Sequence, residues 1–305
     1  MGVMMILYKF YRFGWCDYVD LKKGVVGKKS HLINSLSDGY IYCSTFHHLN
    51  DAFELKGTPN MEVSSDKLER EIQKEKLADF VMELAGHRCH LGLDDSGYPS
   101  RDFFKNLSYD QLCFQVEFAR NVINNIYYKY SLEKRVACFT ESFDHELMWG
   151  HYADGMKGIC VKYKFDNERK NSFERVNYLR HVENLDLWKF IDGLEDSFSR
   201  LHLFKSCTWS YEDEVRLIAD DERYYYHAHE LEEIYIGSKC PLDDAVQLMD
   251  ALQSNGVDCS FRLAFPDSCE YKIKLSGRMS SVQILEALAE RDDGSLNMFG
   301  INIYK

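Results

Sequence analysis

Two long helical patterns interrupt a chain whose other segments have the composition of short β-strands. Residues 65–85 and 108–130 each repeat apolar side chains at helical spacing. Ser108 and Gln111 have the spacing of a capping box at the start of the second helix. We therefore predict that residues 60–130 form a helical insertion in a β-rich core.

Strand patterns occur on both sides of this insertion. They lie at 4–13, 40–45, 136–140, 158–165, 174–179, 215–219, 231–237, 260–265 and 271–275. Further helices are expected at 29–37, 184–205 and 241–256, and a loop at 21–30. The order predicts an α+β fold with a mixed, mainly antiparallel sheet. We expect a single domain over 1–305, with a core at 6–275 and a helix and a strand as a C-terminal extension at 276–305.

Charge and composition exclude several classes of protein. The 37 Lys and Arg residues against 49 Asp and Glu residues leave a net charge of −12, which argues against bulk nucleic-acid binding. A hydrophobic fraction of 45% supports a folded core rather than a disordered chain. The ten cysteines occur singly, as expected for reduced thiols in a cytoplasmic protein. We expect no secretory signal and no membrane partner, because the N-terminal segment lacks a basic region and no run of 18 apolar residues occurs.

The segment TWSYEDEVRLIA, residues 208–219, concentrates charge beside apolar side chains. If it is a strand, alternation places Glu212, Glu214 and Arg216 on one face. Such a face is either a solvated ion pair or the floor of a cleft. In a cleft, the two carboxylates would raise each other's pKa and the guanidinium would lower both.

A second segment, residues 138–163, places Trp149, His151 and Tyr152 on a predicted helical turn, close to Lys157. A histidine at such a turn is commonly a structural hydrogen-bonding group. The concentration of aromatic side chains also fits a wall that stacks against an aromatic ligand.

Phosphate and metal sites have weaker support. Lys22, Lys23, Lys28 and Lys29 form a basic cluster that is either a solvated loop or a phosphate site. The histidine and cysteine pairs lack a second ligand pair at the spacing of zinc sites, so we expect no metal.

Five blocks of the sequence together resemble a bacterial family, the domain of unknown function numbered 2971. The blocks are LYKFYRF, DGYIYCSTFHHLNDAFE, CFTESFDHELMWGHYADGMKGICVKY, FKSCTWSYEDEVRLI and LEEIYIG, in this order from about residue 6 to 275. Ala52 stands where the family usually has proline after Asn50-Asp51. The resemblance implies no activity, because the family is defined without one.

Three shorter matches resemble the Arg–Ser–Glu class of ADP-ribosyltransferases: Arg12, Ser44-Thr45 and Glu212-x-Glu214. This resemblance implies NAD as the substrate, with a carboxylate stabilising the oxocarbenium ion formed at the ribose. It assigns Glu214 to the ribose and Glu212 to the acceptor. We expect one pocket with catalytic residues Glu214, Glu212 and His151. The expected NAD-binding residues are Lys9, Arg12, Tyr42, Ser44, Trp149, Tyr152, Lys205 and Arg216.

The sequence therefore supports three hypotheses. The leading one is an NAD-dependent ADP-ribosyltransferase that transfers a glycosyl group in a bacterial cytoplasm, as an effector of phage defence or a toxin. The second is a non-enzymatic domain that binds a small ligand, with a protein partner at the helical insertion. The third is a hydrolase or nuclease that uses the acidic cluster with a divalent metal.

Overall fold

The computed structural model describes residues 4–20, 25–55, 57–89, 100–186, 188, 191 and 201–292. The chain divides into two compact units. The first comprises Met1–Ser44, Arg135–Val176 and Thr208–Lys305, and the second comprises Thr45–Lys134 and Asn177–Cys207. The single domain expected over 1–305 stays a prediction.

The described strands, in chain order, are β1 (Met5–Tyr11), β2 (Trp15–Asp20), β3 (Val25–Ser30), β4 (Tyr40–Tyr42), β5 (Ser44–Thr45), β6 (Gly57–Asn60), β7 (Arg135–Thr140), β8 (Ile159–Phe165), β9 (Phe173–Arg175), β10 (Asn177–Leu179), β11 (Glu183–Asp186), β12 (Phe204–Ser206), β13 (Glu214–Ala219), β14 (Arg223–Tyr225), β15 (Leu231–Gly237), β16 (Ser260–Pro266) and β17 (Ile273–Leu275). The helices are α1 (His31–Ser37), α2 (Lys67–Cys89), α3 (Arg101–Lys105), α4 (Tyr109–Glu133), α5 (Glu146–Tyr152), α6 (Leu242–Ser254) and α7 (Ser281–Asp292). Short 3₁₀ segments cover Phe46–His48, Asn167–Ser172, Cys207–Glu212 and Ala228–Glu230.

A mixed sheet forms the centre of the first unit. Its strands follow the order β17-β16-β15-β8-β1-β7-β13-β9, and β5 also pairs with β7. Along this path every pairing is antiparallel except β15 with β16. The α+β class and the mixed sheet predicted from the sequence are confirmed.

The two faces of this sheet are covered differently. On one face α1, α6 and α7 contribute Leu32, Leu248 and Ile284 to a large apolar core with the sheet residues Leu7 and Val161. On the other face α5 packs with a smaller cluster of Phe10, Met148, Trp149, Cys160 and Tyr235. Successive strand residues point to opposite faces of the sheet. The face covered by α1, α6 and α7 therefore carries the aliphatic side chains, and the face covered by α5 carries more polar ones.

Two glycines allow the backbone to approach closely near α5. A Cβ atom at Gly158 would lie 2.1 Å from the carbonyl oxygen of Tyr11, and one at Gly237 would lie 2.1 Å from that of Met156. Both contacts are with backbone, which cannot swing away as a side chain can. The close backbone packing therefore explains why glycine follows Lys157.

The second unit is mainly helical. Its core joins α2, α3 and α4 through Leu77, Phe80, Phe104, Leu112 and Ile123. Two parallel strand pairs, β6 with β11 and β10 with β12, complete it.

The predicted capping box at the start of α4 is present. The Ser108 amide donates to Gln111 Oε1 at 2.9 Å, and the Gln111 amide donates to Ser108 Oγ at 3.4 Å. Both contacts join groups three residues apart, so local sequence is enough to specify them.

One secondary-structure prediction is wrong and another has the wrong bounds. The loop expected at 21–30 contains Val25–Ser30 as a strand, paired with Trp15–Asp20 in a hairpin. The range 184–205, expected to be one helix, begins and ends in strand residues, because β11 and β12 each find a parallel partner elsewhere in the second unit. Between these strands the described residues Trp188, Ile191 and Leu201 are helical, so the error concerns the bounds. Residues 21–24, including Lys22 and Lys23, lie outside the described residues, as does the final strand expected after α7.

Candidate active site

A row of polar residues crosses the α5 face of the sheet. Strand register pairs Glu214 with Thr140, Thr140 with Tyr8, Tyr8 with Lys162, and Lys162 with Glu233. Directly paired residues project to the same face, so these five side chains share one side of the sheet. The buried carboxylates of Glu214 and Glu233 lie at the two ends of this row. Four strand-to-strand steps separate their backbones, a distance of about 19 Å.

At one end of the row, Glu214 and Arg216 form a buried ion pair. Arg216 Nε donates to Glu214 Oε1 at 2.8 Å, and Nη2 donates to Oε2 at 3.3 Å. Glu214 is 3% exposed and Arg216 is fully buried. Their positions two residues apart on β13 place both on one face, as the sequence predicts. Burial raises the pKa of the adjacent Cys138, and the negative charge of Glu214 raises it further, so this thiol stays protonated.

Glu212 reaches the same region by a different backbone route. The segment Cys207–Glu212 is a 3₁₀ helix rather than the start of a strand, and Asp213 has a left-handed φ of 42°. Strand alternation therefore does not apply to Glu212, which corrects the expectation that Glu212 shares a strand face with Glu214 and Arg216. Its carboxylate is nevertheless buried and accepts a 2.5 Å hydrogen bond from the hydroxyl of Tyr152. Burial and the neighbouring Glu212 both raise the pKa of Tyr152, so the phenol remains a donor.

Rings from α5 and from the 3₁₀ segment gather beside Glu212. The ring of His151 lies 6.2 Å from Tyr211 and 6.5 Å from Trp209, and that of His145 lies 5.4 Å from Tyr211. His151 is exposed, whereas Trp209 and Tyr211 are half-buried. We call His145, His151, Tyr152, Trp209 and Tyr211 the aromatic group. These rings offer a surface for stacking against a planar ligand.

Trp149 belongs to the interior instead. Its side chain is fully buried, its Nε1 donates to the Phe143 carbonyl at 2.7 Å, and its ring meets Phe10 edge-on at 5.2 Å. It anchors α5 to the sheet and lies beneath the surface that the neighbouring His151 presents.

Lys9 projects from the opposite face of the sheet. It lies between Tyr8 and Phe10 on β1, so alternation turns it away from the polar row. Its Nζ donates to the Cys138 carbonyl at 3.0 Å and lies 5.3 Å from the centroid of the Phe139 ring. Burial lowers the pKa of Lys9, although nearby acidic groups partly oppose this effect.

The structure does not bring Arg12 next to Glu214. Arg12 is exposed and follows the end of β1, four residues beyond Tyr8, which is about 13 Å along a strand. Ser44 begins the short strand β5, which pairs with β7. Tyr42 is exposed on β4 and pairs with Arg223. The strand carrying Ser44 thus borders β7, as do β1 and β13, but Tyr42 lies in a separate strand pair.

Lys205 lies in the second unit, on β12. It lines a cavity of about 140 Å³ within that unit. The other lining residues are Phe53, Leu179, Arg180, His181, Val182, Glu183, Phe204 and Ser206. Lys205 therefore belongs to the cavity of the second unit, whereas Glu214 belongs to the first unit.

Sequence reasoning missed the second buried carboxylate of the row, Glu233. It accepts hydrogen bonds from Arg278 Nε at 2.8 Å, from the Tyr235 hydroxyl at 3.0 Å and from Arg262 Nε at 3.2 Å. Burial by itself would raise the pKa of Glu233, but these donors and the charge of Lys162 lower it overall. The available signal was a pair of glutamates inside the otherwise apolar strand LEEIYIG.

Over the described ranges, no three His, Cys, Asp or Glu side chains are grouped so as to hold a metal ion. None of the helices in that part of the chain has the length and apolar character to cross a bilayer. Comparison with family models, curated proteins and solved structures finds no match to this chain.

Proposed function

We propose that the first unit binds NAD and cleaves its nicotinamide–ribose bond, passing the ADP-ribosyl group to an acceptor. The observation that carries this proposal is the position of the aromatic group directly beside the buried carboxylate of Glu212, joined to it by the Tyr152 hydrogen bond. The planar, cationic nicotinamide ring of NAD can stack on these side chains, and a carboxylate beside the ring stabilises positive charge.

In the proposed reaction, the C–N bond between ribose C1′ and nicotinamide breaks, and nicotinamide leaves with the electron pair. The resulting oxocarbenium ion is stabilised by a carboxylate. A nucleophilic oxygen or nitrogen of the acceptor, or water, then bonds to C1′ and loses its proton. His151 is exposed beside the rings and is the group we assign to accept that proton.

We assign the carboxylate facing the ribose to Glu212. The Tyr152 hydrogen bond joins Glu212 directly to the aromatic group, whereas Glu214 is paired with Arg216 at 2.8 Å on the same strand. The resemblance to ADP-ribosyltransferases implies the opposite assignment, with Glu214 at the ribose. In our assignment the Glu214–Arg216 pair holds the start of β13 and thereby positions Glu212.

Nicotinamide release from NAD tests the proposal, measured with purified protein with and without bacterial lysate as a source of acceptor. Glu212→Gln should lower the rate by about 10²–10³-fold, the usual effect of removing one electrostatic group. Glu286→Gln, an exposed position on α7, is the matched control and should keep the wild-type rate. Rates are to be compared per folded molecule, determined by circular dichroism. Absence of nicotinamide release from the wild type in both conditions would refute the activity.

A second function, ligand binding without turnover, is favoured by one observation. The Glu214–Arg216 pair is almost completely buried and internally neutralised, as in a purely structural ion pair. Calorimetric titration with NAD separates the two functions, because binding heat without nicotinamide release supports the second.

The roles in phage defence or as a toxin and the cytoplasmic location remain predictions from the sequence.

A further inference from the structure

Helix α4 of the second unit has apolar residues on two opposite sides. The inner side carries Leu112, Val116, Ala119 and Ile123, which are all buried in the core shared with α2 and α3. At 100° per residue, these four positions fall within one narrow arc of the helix. A helix with one such side normally exposes charged residues on the other.

The outer side of α4 instead exposes a stripe of large apolar residues. Phe114 is 70% exposed, Phe118 58%, Tyr128 57% and Leu132 42%. With the exposed Asn121 and Asn125 they complete a stripe spaced by four and three residues in alternation, the repeat of a coiled-coil seam: Phe114, Phe118, Asn121, Asn125, Tyr128 and Leu132. We call these six residues the outer stripe. It contains no charged residue.

The outer stripe is symmetric about its own centre. Phe114 and Leu132 lie equally far from Ile123, and so do Phe118 and Tyr128. A second α4 running antiparallel would therefore set apolar side chains against apolar side chains at both ends. In the middle it would set Asn121 against Asn125, whose amides can hydrogen-bond to each other.

We infer that the outer stripe is a dimer interface, and that its occupant is the outer stripe of a second copy of this chain in antiparallel orientation. A two-fold interface must be self-complementary. If residue i of one copy contacts residue j of the other, then residue j of the first copy must also contact residue i of the second. The outer stripe has that property because it is symmetric about its centre. The paired asparagines would select this register, as polar seam residues do in coiled coils.

The exposed area suits a stable dimer of modest size. An aromatic side chain offers roughly 200 Å², so the exposed fractions of the four apolar residues amount to about 450 Å² per copy and about 900 Å² per pair. Asn121, Asn125 and the flanking Val122 add the contacts that bring the interface to about 1,200 Å², the lower end for stable complexes.

Sedimentation velocity of the full chain over about 1–100 μM is the first test, and the wild type should shift from monomer to dimer over this range. Phe118→Glu should weaken the dimer at least about 100-fold, because the two-fold symmetry alters the contact between positions 118 and 128 twice. Leu68→Glu is the control, since Leu68 is 73% exposed on α2 of the same unit but outside the stripe, and it should leave the dimer unchanged.

A mixing experiment tests the register. Phe118→Glu and Tyr128→Lys should each be monomeric alone, because each places an isolated charge opposite an aromatic ring. An equimolar mixture should dimerise, since the new carboxylate at position 118 then faces the new ammonium at position 128 of the other copy. A wild type that stays monomeric at 100 μM overturns the proposal, whatever other protein binds the stripe. Failure of the mixture to associate overturns the antiparallel register.

Discussion

The hydroxyl of Tyr152 on α5 donates a 2.5 Å hydrogen bond to Oε1 of Glu212, which lies 60 residues later in the chain at the end of a 3₁₀ segment. This bond joins the aromatic group to a buried carboxylate. A substitution in the aromatic group can therefore alter the surroundings of the Glu212 carboxylate through this bond.

Tyr152→Phe should destabilise the protein by about 1.5–3 kcal/mol, since it removes a donor from a buried charged acceptor while keeping the ring. If Glu212 is the ribose carboxylate, the same variant should also lower nicotinamide release. Urea unfolding gives the first quantity and the release assay the second. Unchanged stability would show that the bond contributes little to folding.

Glu214→Gln should cost about 3–5 kcal/mol of folding free energy, because it removes the charge of a buried carboxylate that is hydrogen-bonded to the fully buried Arg216. Replacing both residues, as Glu214→Leu with Arg216→Met, should recover most of that loss by removing both charges. Chemical denaturation of the wild type, Glu214→Leu, Arg216→Met and the double variant forms a double-mutant cycle. Additive losses would argue against a coupled pair.

Glu233 should make stability depend on pH in the acidic range. Its folded pKa lies below its unfolded value of about 4.3, so its contribution is present above that value and is lost as the pH falls through the folded pKa. The stability difference between wild type and Glu233→Gln should therefore shrink as the pH falls below about 4.3. Thermal unfolding across this range measures it, with Glu286→Gln, an exposed glutamate on α7, as the control. A constant difference would contradict the assignment.

Trp149 and Trp209 should respond in opposite ways. Trp149→Phe removes the hydrogen bond to the Phe143 carbonyl and should lower stability by about 1–3 kcal/mol with little effect on NAD affinity. Trp209→Ala should weaken NAD binding more than folding, because its ring is only half-buried in the aromatic group. Differential scanning calorimetry and calorimetric titration on the same samples distinguish the two. The reverse pattern would move the ligand surface to Trp149.

Much of the secondary structure could be predicted because it depends on neighbours within a few residues. The α4 capping box joins Ser108 and Gln111, and the strand expected at 231–237 has those bounds in the structure. The errors at Val25–Ser30 and Glu183–Asp186 concern short segments whose strand state depends on pairing with another segment. Propensity alone cannot supply that pairing.

The candidate site divides in the same way. Local spacing was enough to place Glu214 and Arg216 on one face of β13, because side chains in a strand alternate with a period of two. Only the tertiary structure decides that Tyr8, Thr140 and Glu214 share a row, that Lys9 points away from it, and that Glu233 completes it. These relations follow from the register between strands whose paired residues lie between 71 and 154 positions apart in the chain. A shift of one residue in any pairing would turn every side chain of the shifted strand to the other face.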